Sequence, residues 1–206
     1  ASPLRSRRFH HPRRDMRASR PSRGHDLPAL ALSALLVLTP ALAAQWSEQH
    51  KLLPDDGQAG DAFGSSVATD GARVVVGAPA ATPSGSAYVF GAQSGSQQFE
   101  LVATDAAAGD QFGYDVAIDG GRVVVGALGA AYLFDAATGQ QLETLLPIAG
   151  ASSFGLSGFG EAVAIDAGRV VVGARLEDGV SGISGAAYVF DAASGDLLHR
   201  VVATNG

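Results

Sequence analysis

Valine and its β-branched relatives recur along this chain in a fixed order. Val67 and Thr69 flank Ala68, Val116 and Ile118 flank Ala117, and Val163 and Ile165 flank Ala164. Large and small side chains alternating every second residue predict a short strand. Each stretch then meets a glycine-bearing pair, Gly71-Ala72, Gly120-Gly121 or Ala167-Gly168, which between β-branched runs signals a tight hairpin. The return strands hold consecutive valines at 74–76, 123–125 and 170–172. Such runs put apolar groups on both faces, so these strands are expected to be covered on both sides. A third strand is predicted at AYVF or AYLF, around Tyr88, Tyr132 and Tyr188, and a fourth at QQFELVA, QLETLLP and LLHRVVA. Consecutive β-branched residues with glycine at the turns exclude a helical reading.

The same order occurs in three copies. A Phe-Gly pair opens each one, at Phe63-Gly64, Phe112-Gly113 and Phe159-Gly160, and the glycines are 49 and 47 residues apart. From each Phe to the Arg of the hairpin is ten residues, to Arg73, Arg122 and Arg169. Only the connection between the second and third strands varies: 11 residues from Gly77 to Tyr88, 6 from Gly126 to Tyr132 and 15 from Gly173 to Tyr188. Four short strands in a repeated unit of this length predict an all-β fold of propeller blades, each a four-stranded antiparallel sheet. Alanines between blades would let the sheets approach closely, and Gly77, Gly126 and Gly173 would end strands where backbone crowds.

These residues resemble the FG-GAP repeat, whose Val-Val-Gly-Ala-Pro run stands here as Val75-Val76-Gly77-Ala78-Pro79; Leu128 and Arg175 replace the proline in the later copies. The resemblance covers residues 61–206. It implies the propeller of integrin α-chains and of exported bacterial proteins, and a role in binding and adhesion without a fixed chemistry. The expected organisation is a lead-in strand of a preceding blade at 44–60, then repeats at 61–109, 110–156 and 157–206. By register another Phe would fall at position 212, so a partial propeller is expected: a fragment of a longer chain, or an oligomer that completes the ring. Integrin-type repeats often carry a calcium loop between the first two strands. Here that loop is only Asp70-Gly71-Ala72-Arg73 and its counterparts, and one carboxylate per turn cannot supply six oxygen ligands. No metal is expected. Asp70/Arg73, Asp119/Arg122 and Asp166/Arg169 are expected to flank the turns as exposed pairs.

Charge is divided along the chain. Residues 1–43 hold eight Arg and two Asp; the remainder holds one Lys and five Arg against 18 Asp or Glu. The basic part precedes LPALALSALLVL at 27–38 and the small residues Ala41-Leu42-Ala43, the layout of a secretory signal. Residues 1–43 are therefore read as a signal peptide, with Met16 as a candidate true start. A secreted, periplasmic or cell-surface location is expected, with no membrane span after cleavage. The acidic remainder argues against nucleic acid. There is no cysteine, hence no disulfide and no thiolate site.

Little points to catalysis. His50 and His199 lie far apart in sequence. No Ser stands in a G-x-S-x-G context. Ser65 aligns with Tyr114 and Glu161, which leaves no shared role. Glu161, Glu177 and Asp178 occur in one copy only, as a hydrolytic pair would, but a solvated loop is the expected reading. AYLFDAATGQQLETL resembles the quinoprotein propeller run, yet the docking Trp is missing, and Asp-x-x-Thr/Ser-Gly serves equally as a turn. The expectation is a non-catalytic module without a cofactor. Extracellular protein or carbohydrate would be recognised through the variable connections at 79–86 and 175–185, with Pro79, Thr82, Ser84, Arg175, Glu177 and Asp178 as contacts. The alternatives are part of a quinone-dependent or hydrolytic propeller enzyme with its catalytic residues elsewhere, and a structural spacer.

Overall fold

The computed structural model describes residues 48–149, 157–179 and 182–202. The signal segment at 1–43 and the first part of the lead-in segment, 44–47, lie outside the described residues. Three four-stranded sheets follow one another. The first runs β1 (Ser66–Thr69), β2 (Arg73–Ala78), β3 (Ser86–Gly91) and β4 (Gln97–Leu101). The second runs β5 (Val116–Asp119), β6 (Arg122–Ala127), β7 (Ala130–Asp135) and β8 (Gln141–Leu145). The third is built from β9 (Phe159–Asp166), β10 (Arg169–Ala174), β13 (Ala186–Asp191) and β14 (Leu197–Val202). Between β10 and β13 a two-stranded ribbon intervenes, β11 (Asp178–Gly179) with β12 (Gly182–Ile183). All pairings are antiparallel between neighbours. No helix occurs among the described residues. The all-β, partial-propeller expectation is met.

Register explains the valine triplets. The middle valine of β2, β6 and β10 points to one face of its sheet and the outer two to the other. The two-valine face also carries the Phe of Phe-Gly. Phe112 packs edge-on against Phe134, with ring centres 5.8 Å apart, and against Tyr132 at 5.5 Å. Phe159 repeats this with Tyr188 and Phe190. This aromatic face of the second and of the third sheet packs on the opposite face of the sheet before it. Phe112, Val123, Val125 and Tyr132 form one core with Val75, Ala87, Val89 and Leu101. Phe159, Val170, Val172 and Tyr188 form the next with Val124, Ala131, Leu133 and Leu145. A side chain of this size contributes about 1.5–3 kcal/mol on full burial, so sheet stacking dominates the stability. The alanines at 87 and 131 are fully buried between sheets.

Residues 48–60 hold no strand, although they take the place of one. Leu52 packs on the aromatic face of the first sheet, as Leu101 and Leu145 do on the sheets after theirs. The Gln97 side chain accepts from the Asp55 N–H at 3.0 Å, just as Gln141 accepts from Thr104 at 2.9 Å. A strand needs a neighbour, and no third strand lies beside this segment among the described residues.

Candidate functional site

The variable connections are placed by a backbone device. Each Phe-Gly corner needs left-handed residues: Gln111 and Gly113 have φ of 53° and 90°, a conformation that favours glycine. The corner closes on itself through Tyr114 N–H to Gln111 O, 3.1 Å. It then enters the preceding sheet, where the Phe112 N–H donates to Ser84 O at 2.8 Å and Ser66 Oγ donates to Gly113 O at 3.0 Å. Gly77 admits it: a Cβ there would lie 2.1 Å from Gly113 O. Gly126 does the same for Gly160, at 2.0 Å. Gly173 faces only Ala162, at 3.3 Å. Each seated corner brings the connection of one sheet beside the corner of the next, and a cleft forms between them.

Two such clefts differ in chemistry. The first, of about 330 Å³, lies between residues 79–84 and Gly109 with Gln111. The second, of about 280 Å³, is lined by Leu128, Gly129, Pro147, Gly158, Leu176 and the Glu161–Arg175 ion pair. Arg175 meets Glu161 with both Nε and a terminal nitrogen, and its side chain remains 65% exposed while that of Glu161 is 16% exposed. The pair raises the affinity of Arg175 for its proton, chiefly through the Glu161 hydrogen bond. Tyr114 and Leu128 are exposed.

The expected contact residues separate into two groups. Thr82 and Arg175 are exposed and Pro79 is half-buried, at the clefts. Ser84 does not face solvent: it is 2% exposed, because its carbonyl holds Phe112. Glu177 corrects the solvated-loop reading outright, being 0% exposed. It accepts from Tyr188 Oη at 2.6 Å and pairs with Arg200. A second Arg200 nitrogen donates to the carbonyl of Asp178 at 3.0 Å, and Asp178 is half-buried. Tyr188 needs this acceptor. Asp56 serves Tyr88 and Asp105 serves Tyr132, but residues 145–159, which lead into the third repeat, contain no Asp or Glu. Leu128 and Leu176 in the second cleft, and Tyr114 near it, are candidates that the sequence does not single out. Their only signal is departure from the repeat.

The turn charges also pair differently from expectation. Arg122 reaches Asp135 at 3.1 Å and Arg169 reaches Asp191 at 2.8 Å, each across the sheet and away from its turn Asp. Register sets each Arg between two Asp, its turn Asp on the first strand and this one on the third, and the side chain reaches the latter. The turn carboxylates accept backbone N–H groups instead: Asp70 from Ala72 and Arg73, Asp119 from Ala167 of the next sheet. Asp135 and Asp191 also bind the Asp-x-x-Thr/Ser-Gly turn. Thr138 holds the Asp135 carboxyl below the usual range, and the Ala193 N–H does so for Asp191. Among the described residues no three His, Cys, Asp or Glu side chains gather as a metal site.

Residues 46–90, 96–139 and 156–190 match the family model of the FG-GAP repeat. No curated protein matches the chain. A solved europium-containing methanol dehydrogenase is similar at 16% identity over 66% of this chain, with a TM-score of 0.46. The matched part spans 24% of that protein's length.

Proposed function

The chain belongs to the FG-GAP repeat family, and from that premise we propose that it is an exported module that recognises an extracellular protein or carbohydrate and catalyses no reaction. One observation carries this reading. A repeated backbone device builds clefts at equivalent places between successive sheets, yet their linings differ: Pro79, Thr82 and Pro83 in one, Leu128, Leu176 and the Glu161–Arg175 pair in the other. Constant architecture with varied lining suits recognition, because the scaffold holds loops whose side chains can differ freely. The carboxylates unique to one copy have structural work. Glu161 holds Arg175, and Glu177 holds Tyr188 and Arg200. Clefts of this size admit a sugar ring or one amino-acid side chain, with an apolar wall beside a guanidinium.

The test is binding of the purified protein to arrayed glycans and matrix proteins, comparing the native chain with Thr82→Lys, at an exposed position of the first cleft, and Arg175→Ala, in the second. A ligand retained by the native chain and bound about tenfold more weakly by either variant supports the reading. A ligand bound equally by the native chain and by variants of both clefts sinks it.

A further inference from the structure

Within this chain the structure shows twice what covers the face opposite the aromatic one. On the first sheet, Gly113 enters against Gly77 and Ser86, and Val75 and Leu101 become 0% and 1% exposed. On the second, Gly160 enters against Gly126, with Gly129 N–H donating to Phe159 O at 2.9 Å. The third sheet presents the same seat to solvent. Gly173, Ala174, Gly185 and Ala186 border an open groove of about 460 Å³ that runs to Val201. On the face below it, Val171 is 38% exposed and Val201 57%.

The matching corner is also exposed. Phe63-Gly64 belongs to the first sheet and already has the seated shape. Ala62 and Gly64 have φ of 58° and 93°, against 53° and 90° for Gln111 and Gly113. Its closing bonds, Gly64 N–H to Gly77 O at 3.0 Å and Ser65 N–H to Ala62 O at 3.1 Å, repeat those of the second corner. Phe63 packs on Tyr88 and Phe90, and no atom outside its neighbours lies within 4 Å of a Cβ built on Gly64.

We propose that the third sheet binds the first sheet of a second copy of this chain, head to tail, with Phe63-Gly64 entering the groove at Gly173. The contact is heterologous: two different surfaces meet, so it continues the stacking of the single chain from one copy to the next. Arg175 borders both this groove and the second cleft, but the stacking needs no ligand in that cleft. One segment must yield. His50, Phe99 and Glu143 each lie against the turn glycine of the following sheet, at Gly95, Gly139 and Gly195. The register opposite Val189 puts His199 at the equivalent point of the third sheet. In the assembly His199 of one copy and His50 of the other claim the same place beside Gly95. Residues 48–56 are held there without a strand ladder, so they leave.

Native mass spectrometry of the full chain across a concentration series, with hydrogen exchange at residues 48–56, tests this. Gly173→Ala is the discriminating variant: its Cβ meets only Ala162, so the single chain folds, but it occupies the point where the incoming glycine carbonyl would sit. Val171→Lys, at an exposed position, is the second. The expected result is association that grows with concentration, is about tenfold weaker or more in each variant, and is accompanied by faster exchange at residues 48–56. A monomer at every concentration, association that survives both substitutions, or association with unchanged exchange at 48–56 overturns the proposal. A further blade of a longer polypeptide as the true occupant would give the first of these.

Discussion

Arg73, Arg122 and Arg169 occupy one point of the repeat and differ in what faces them. Asp135 and Asp191 stand opposite the second and third, but Gly91 stands opposite the first, and Arg73 Nε is buried with no hydrogen-bond partner. Gly91→Asp would restore the missing acceptor. A Cβ there lies 2.5 Å from Ser94 Oγ, so that hydroxyl must rotate, as the aligned Thr138 has done to donate to Asp135. The expected gain is about 1 kcal/mol, from a half-buried charged hydrogen bond and the loss of a strand glycine, read as a higher urea midpoint with unchanged slope. No change, or a lower midpoint, would refute it. Glu177 shows the opposite case, a buried charge held by its partners. Glu177→Ala leaves Tyr188 Oη without its acceptor and should cost about 2–3 kcal/mol, since Arg200 is partly exposed and can turn to water. Glu177→Gln keeps the acceptor and should cost about half as much. Equal losses in the two variants would mean that the ion pair with Arg200, and not the tyrosine, is what Glu177 sustains.

At the scale of the element, what the sequence reveals depends on distance along the chain. The strands and hairpins are legible because their signals are local: alternation, a glycine pair, a valine triplet. The seating of each corner is not, because Phe112 N–H and Ser84 O come from different repeats and nothing in their residue types announces the bond. Ser84 therefore reads as a contact residue. Glu177 reads as solvated because its partners Tyr188 and Arg200 lie 11 and 23 residues away, while a two-stranded ribbon within a variable connection gives no periodic signal. The strand-ending glycines gain a sharper meaning from the geometry. Gly126→Ala would drive a methyl group to 2.0 Å from Gly160 O, which neither backbone can absorb without shifting. It should destabilise by about 3 kcal/mol, at the upper end for overpacking. Gly173→Ala, at the same point of the repeat but with only Ala162 nearby, should change stability by less than about 0.5 kcal/mol. Matched denaturation curves check the pair, and equal losses would show that strand geometry, not the entering corner, requires the glycine.

The three described sheets form a stack in which each depends on its neighbours, so one titrating position repeated in every sheet acts on all of them together. Tyr88, Tyr132 and Tyr188 are such a position. Burial, followed by the Asp56 hydrogen bond, pushes Tyr88 up to about 12. Burial is likewise the leading cause of the upward shifts of Tyr132 and Tyr188. A phenol whose folded pKa lies above the unfolded value of about 10 keeps its proton in the fold while the unfolded chain loses it. Its contribution is therefore complete below about pH 10 and is lost as pH rises from there through about 12. The depressed carboxyls of Asp135 and Asp191 act at the other end, where their contribution is present above about pH 4 and falls away with further acid. The alkaline limb is the steeper expectation, because all three sheets begin to lose this contribution as pH rises above about 10. Unfolding followed by circular dichroism should coincide with the rise of phenolate absorbance. Tyr132→Phe should move that limb to higher pH, since it removes one ionising group from the middle sheet without opening a cavity. Unfolding that precedes phenolate formation, or a limb that Tyr132→Phe leaves in place, would show that the alkaline limit is set elsewhere than at these stacked tyrosines.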